Sequence, residues 1–177
     1  LNLNKENFYK RLKKIFKKDT VKKIAEIYLG DLSNNQEGNK YKHALSHLMT
    51  DWTFGMHALD LLEQHQDKSY GYFFNEPSPL LDGRLGAYHA SELPYVFGSA
   101  NKKIFKEFCS ENSDEISNFF QFSWSQFAKT GSPSSHLMDW EVFENNSSIA
   151  YINSVPKIKT FKNKDRIKLI NESKLNF

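Results

Sequence analysis

The sequence predicts an α/β chain. Stretches whose apolar residues keep helical spacing are interleaved with two short runs rich in aromatic or β-branched residues, and loops rich in Gly, Pro and Asn separate them. At 177 residues, with 39% hydrophobic and 15% aromatic content, the chain holds enough apolar material for one domain with a sizeable core.

Phe8, Leu12, Ile15 and Phe16 predict a helix over 8–17. After a break at Asp19-Thr20 the pattern restarts at Val21, Ile24 and Tyr28, until Gly30 stops it. Residues 31–39 are polar and turn-rich, hence a loop. A long helix is expected from Lys40 to Gln64 on Ala44, Leu48, Phe54, Ala58 and Leu62. Tyr70-Gly71-Tyr72-Phe73-Phe74 reads as a buried strand, and residues 75–86, with two prolines and two glycines, as the loop that follows it. Asn112-Ser113-Asp114-Glu115 opens a helix expected to run to Ala128, with Gly131 and Pro133 ending it. Residues 148–153, with Ile149, Tyr151 and Ile152, read as a second strand, and a terminal helix is expected over 163–172.

His89 carries the functional argument. A lone histidine has an ordinary reading as a satisfied structural or surface imidazole. Here its neighbours matter: Gly86-Ala87-Tyr88-His89-Ala90-Ser91-Glu92-Leu93-Pro94-Tyr95-Val96-Phe97-Gly98 resembles the catalytic-histidine segment of type-B carboxylesterases. These form the cholinesterase-like branch of the α/β-hydrolases, with bacterial p-nitrobenzyl esterases the nearest group. Trp124-Ser125-Gln126-Phe127-Ala128-Lys129-Thr130-Gly131-Ser132-Pro133 is similar to the family's W-x-x-F-A-K-T-G-x-P helix end. Trp140-Glu141-Val142-Phe143 resembles its W-P-x-Y element, with Glu141 in place of proline and Phe143 in place of tyrosine. Upstream, Thr50-Asp51-Trp52-Thr53-Phe54 and Ala58 resemble a family helix that crosses the site, so the resemblance runs from about residue 20 to about residue 155.

The resemblance implies the C-terminal part of an α/β-hydrolase fold over residues 1–177, holding edge strands of the central sheet and their flanking helices. It implies a serine carboxylesterase in which His89 is the catalytic histidine, acting on a small ester without metal or organic cofactor. A serine hydrolase of this fold needs a nucleophile on a strained strand-to-helix turn, normally Gly-x-Ser-x-Gly, and no such pentapeptide occurs here. Gly98-Ser99-Ala100-Asn101-Lys102 and Gly131-Ser132-Pro133-Ser134-Ser135 lack the second glycine and read as ordinary loops. The glycine-rich oxyanion loop is missing too. Since the order in this fold is Ser, Asp/Glu, His, the serine and the acid are expected upstream of Leu1, in an N-terminal part of the same domain. Glu6 precedes Asn7 rather than Gly and is not assigned. Glu92 is rejected as the triad acid, because the family supplies that group from another loop; it is expected to brace its own loop by accepting hydrogen bonds.

Other features have plainer readings. Lys10, Arg11, Lys13, Lys14, Lys17, Lys18, Lys22 and Lys23 could meet phosphate or an acidic membrane, but with an overall charge of +3 and a place on the outer side of two helices they read as a solvated face, and no nucleic-acid partner is expected. His43 and His47 have zinc-like spacing around Ala44-Leu45-Ser46 but no evident third ligand, so no metal site is expected. Cys109 is the only cysteine and can form no internal disulfide. Asn145-Asn146-Ser147 and Asn171-Glu172-Ser173 match glycosylation acceptors, as triplets often do by chance in an Asn-rich chain. No apolar run reaches membrane-spanning length, no signal peptide is visible, and localisation is open between a cytoplasmic bacterial default and secretion. Two other classes stay open: a non-catalytic binding or adhesion relative, and an inactive fragment.

Overall fold

The computed structural model describes residues 3–30, 39–65, 67–144 and 147–175. Its contacts divide the chain into two units, residues 1–64 with 162–177, and residues 65–161. Of the loop expected over 31–39, residues 31–38 lie outside the described residues, as do Asn145 and Asn146 of the first glycosylation triplet.

The first unit is helical. Asn4 caps helix α1 (Lys5–Leu12) by accepting the Asn7 N–H, and Phe8 and Leu12 turn inward. This helix stops before the expected Lys17. Beyond Leu12 the backbone tightens into turns, and Phe16 instead bridges Lys174 in antiparallel fashion, with Lys17 N–H donating to the Ser173 carbonyl and Leu175 N–H to that of Ile15. Phe16 stays buried, so tertiary pairing has replaced helix without exposing the side chain. Helix α2 (Val21–Gly30) buries Val21, Ile24, Ala25 and Tyr28, one stripe at helical spacing. Helix α3 (Lys40–Thr50) is capped by Asn39, whose carboxamide oxygen accepts the Tyr41 and Lys42 N–H groups.

The expected helix from Lys40 to Gln64 is continuous but not uniform. A π-helical turn, Asp51–Gly55, joins α3 to α4 (Met56–Gln64) and adds a residue to the turn. Asp51, at its start, is buried and takes hydrogen bonds from Tyr28 Oη (2.9 Å) and Arg166 Nε (2.6 Å). Burial, and then the Asp51 charge, push the Tyr28 phenol far above its usual range, so it remains a donor. Helix α7 (Lys164–Ser173) packs against this turn where Gly55 leaves room: a Cβ on Gly55 would stand 3.1 Å from Ile167 Cδ1.

The second unit holds a three-stranded sheet in the order β1-β2-β3. Strand β1 (Tyr72–Phe74) runs parallel to β2 (Ser148–Ile152), pairing Tyr72 with Ala150 and Phe74 with Ile152; β2 runs antiparallel to β3 (Lys157–Thr160). β2 is buried nearly throughout, as a central strand should be. β1 corrects an expectation: it is shorter than the 70–74 run and lies at the edge of the sheet, so Tyr72 and Phe73 remain about 40% exposed instead of buried. β3 has no counterpart in the sequence reading, because Lys157-Ile158-Lys159-Thr160 is a polar edge strand with a single inward apolar residue. Helix α6 (Ser113–Thr130) crosses beneath, burying Ile116, Phe119 and Phe120, and ends at Gly131 in the left-handed conformation (φ 74°). Among the described residues, no helix is long and apolar enough to cross a membrane.

Candidate active site

The chain leaves the carboxyl end of β1 and makes a closed excursion before reaching His89. Asn75 N–H donates to the Ile152 carbonyl, extending the β1–β2 ladder by one bond. Glu76 is buried and its Oε2 accepts the Ser154 N–H, tying the start of the loop to the end of β2. Ser78 N–H then donates to the Gly86 carbonyl across the loop neck. Glycine is needed at Gly83 and Gly86, where φ is positive, and Leu81 and Asp82 share that conformation.

His89 follows in an exposed turn closed by Ser91 N–H donating to the Tyr88 carbonyl. The next residue, Ala90, has φ +65°, a left-handed conformation that costs an L-residue about 1 kcal/mol. Strain of this kind persists only where the surroundings impose it. Helix α5 (Leu93–Val96) supplies that restraint. Tyr95 is buried, its ring lies 5.5 Å from that of Phe74, the last residue of β1, and its hydroxyl accepts the Ser110 N–H at 2.8 Å. The turn carrying His89 is therefore followed at once by an aromatic pin to the carboxyl end of β1.

Glu92 does not act as expected. Its side chain makes no cap hydrogen bond to α5; its backbone carbonyl accepts the Tyr95 and Val96 N–H groups instead. The carboxylate acts on Tyr72, whose phenol is pushed up first by burial and then by the Glu92 charge. Gly98 ends the segment at φ +59°, and a Cβ there would fall 2.1 Å from Gln121 Nε2 on α6. Beside the histidine lies an apolar groove of about 460 Å³, lined among others by its neighbours Tyr88 and Ala90 together with Leu93, Pro94, Phe97 and Phe105. An apolar ligand could thus lie next to an imidazole. Ser91 Oγ and Asn75 Oδ1 are buried with no hydrogen-bond partner among the described residues.

The two tryptophan motifs are structural. Trp124 and Trp140 lie 5.9 Å apart, both ring systems meet Tyr72 edge-on, and Trp140 Nε1 donates to the Gly71 carbonyl at 3.2 Å. Phe143 is buried and its N–H donates to the Ser69 carbonyl, so both motifs fasten the β1 segment. Neither serine weighed as a nucleophile sits on a strand-to-helix turn: Ser99 Oγ donates to the Pro94 carbonyl, and Ser132 follows α6 directly. Cys109 is buried near Tyr95, and burial pushes its thiol up. His43 and His47 lie on α3, and among the described residues no group of three or more His, Cys, Asp or Glu could hold a metal. The Phe74–Tyr95 pin and the Gly98–Gln121 approach were not apparent from sequence; an aromatic at each position was the only signal for the first.

A parallel strand pair with a histidine-bearing loop leaving its carboxyl end, backed by an amphipathic helix, is a mixed α/β arrangement, and it matches part of the α/β-hydrolase fold of a PNB esterase. The chain belongs to the carboxylesterase family, whose sequence pattern matches residues 2–170. The para-nitrobenzyl esterase of Bacillus subtilis is 27% identical over 136 residues, which make up 73% of this chain and 28% of that protein. In fold, the chain matches a carboxylesterase structure from Geobacillus stearothermophilus with a TM-score of 0.68 at 20% identity, covering 84% of this chain and 31% of the other. It matches a PNB esterase structure with a TM-score of 0.67 at 23% identity, covering 95% of this chain and 33% of the other. The chain thus spans about a third or less of the length of these relatives.

Proposed function

We propose that residues 1–177 are the C-terminal part of a serine carboxylesterase and that His89 is its catalytic histidine. The observation that carries this reading is the Phe74–Tyr95 contact, which ties the segment beginning at His89 to the carboxyl end of a parallel strand, where open α/β sheets gather their ligands. In the complete domain β1, β2 and β3 form one edge of the central sheet, and the serine, its acid partner and the oxyanion donors come from the N-terminal part. The unpartnered Ser91 Oγ and Asn75 Oδ1 support this, since buried polar atoms are ordinarily satisfied and both flank the loop where that part would dock.

In this role His89 takes the proton of the upstream serine as it attacks the ester carbonyl, then gives it to the departing alcohol. It next takes a proton from the water that opens the acyl-enzyme and returns it to the serine. The substrate is a small ester, and the groove beside Tyr88 and Ala90 favours one with an apolar limb. The chemistry calls for no metal or organic cofactor.

The test is hydrolysis of a p-nitrophenyl short-chain ester by the complete protein and its His89→Ala variant. Turnover should fall by about four orders of magnitude, with the circular dichroism spectrum unchanged. Near-normal turnover would sink the assignment. The 177-residue chain alone should show neither turnover nor a fluorophosphonate adduct by intact mass; an adduct would mean that it carries its own nucleophile.

A further inference from the structure

The cations of this chain are unevenly placed. Residues 1–64 with 162–177 hold 16 Lys and Arg against 10 Asp and Glu, whereas residues 65–161 hold 8 against 11. The excess is densest over residues 10–23, where Lys10, Arg11, Lys13, Lys14, Lys17, Lys18, Lys22 and Lys23 stand against one carboxylate, Asp19. All eight are exposed, because Phe8, Leu12, Phe16, Val21 and Ile24 take the inward positions of the same stretch. Lys22 meets Glu26 at 3.9 Å, and Lys17 Nζ donates to the Glu172 carbonyl. Among the described residues, none of the other six is paired with a carboxylate.

We propose that this ridge, from the last turn of α1 through the first turn of α2, docks the protein peripherally on an anionic phospholipid surface. Seven of its eight cations are lysines, compact charges on flexible stems that suit a diffuse headgroup field better than bidentate reading of a base or phosphate. Of its two aromatic residues, Phe16 is buried and Tyr9 is half-buried with its ring edge-on to Phe8, so the ridge offers no fully exposed ring on which a nucleobase could stack. Unlike a ridge neutralised by interleaved acids, it keeps its field out to about a Debye length of 10 Å at 0.1 M salt. The inference does not depend on His89 or on ester hydrolysis.

Flotation with vesicles tests it. The chain should float with phosphatidylcholine vesicles containing about a third phosphatidylserine, not with phosphatidylcholine alone, and should be released by 0.5 M NaCl. Each lysine near such a surface is worth roughly a fivefold gain in partitioning at low salt, so reversing four (Lys13→Glu, Lys14→Glu, Lys18→Glu and Lys23→Glu) should cost at least a hundredfold. The same reversals at Lys102, Lys103, Lys106 and Lys157, also exposed, should leave most binding intact, and circular dichroism checks folding in both variants. Equal losses in the two variants, binding that ignores phosphatidylserine, or displacement from vesicles by a stoichiometric amount of duplex oligonucleotide would each overturn the proposal.

Discussion

Arg166 on α7 donates its Nε to Asp51 Oδ2 at 2.6 Å, joining residues 115 positions apart in a pair whose side chains are 13% and 7% exposed. The guanidinium also lies over the Tyr28 ring at 5.0 Å, so one carboxylate binds α2, the π-helical turn and α7 together. Tyr28 and Arg166 both lose this shared acceptor if Asp51 is removed.

Asp51→Ala should destabilise the chain by about 3 kcal/mol, mostly because it breaks the buried ion pair with Arg166. Tyr28→Phe removes one donor and keeps the ring under Arg166, so it should cost only about 1 kcal/mol. Urea unfolding followed by circular dichroism checks both. Equal costs for the two substitutions would mean that the ion pair contributes nothing beyond the phenol hydrogen bond.

The parts of this architecture that were legible in the sequence are those governed by local chemistry. Val21, Ile24 and Tyr28 announced α2, and Gly131, with φ 74°, marked the end of α6 where a left-handed residue is required. Features set by distant contacts were hidden. The π turn leaves the apolar pattern of residues 40–64 almost unchanged, and Phe16 abandons α1 for a bridge to Lys174 near the other end of the chain. β3 has too few apolar residues to signal a strand, and β1 read as buried because an aromatic run carries no mark of lying at a sheet edge. At the candidate site, His89 and Gly98 stood out through the order of their neighbours. The Tyr95 contact to Phe74 and the approach of Gly98 to Gln121 depend on other elements.

Gly98 yields a prediction in which two effects separate. A Cβ at this position would collide with Gln121 Nε2, but Gln121 is exposed and its amide lies at the end of a flexible chain that can swing aside. The left-handed backbone cannot adjust so cheaply. Gly98→Ala should therefore cost about 1 kcal/mol from the φ of +59°. Adding Gln121→Ala should recover almost none of it. Full recovery in the double variant, measured by urea unfolding, would mean that the collision and not the backbone dominates.

Glu63 at the end of α4 gives the chain a pH-sensitive joint with α7. Its Oε1 lies 3.0 Å from Lys164 Nζ and 2.9 Å from Lys168 Nζ. Burial alone would push the carboxyl up, but the two ammonium groups outweigh it and hold it below its ordinary value. A carboxyl whose folded value is depressed binds fewer protons when folded than when unfolded. Its contribution is present in full above the ordinary glutamate value of about 4.3 and disappears as pH falls through the depressed folded value. The stabilities of the parent and Glu63→Gln chains should therefore differ at pH 7, converge as pH falls below the ordinary glutamate value of about 4.3, and approach each other at pH 7 when NaCl is raised to about 1 M. A difference unchanged by both pH and salt would assign the role of Glu63 to packing of its methylenes, not to its charge.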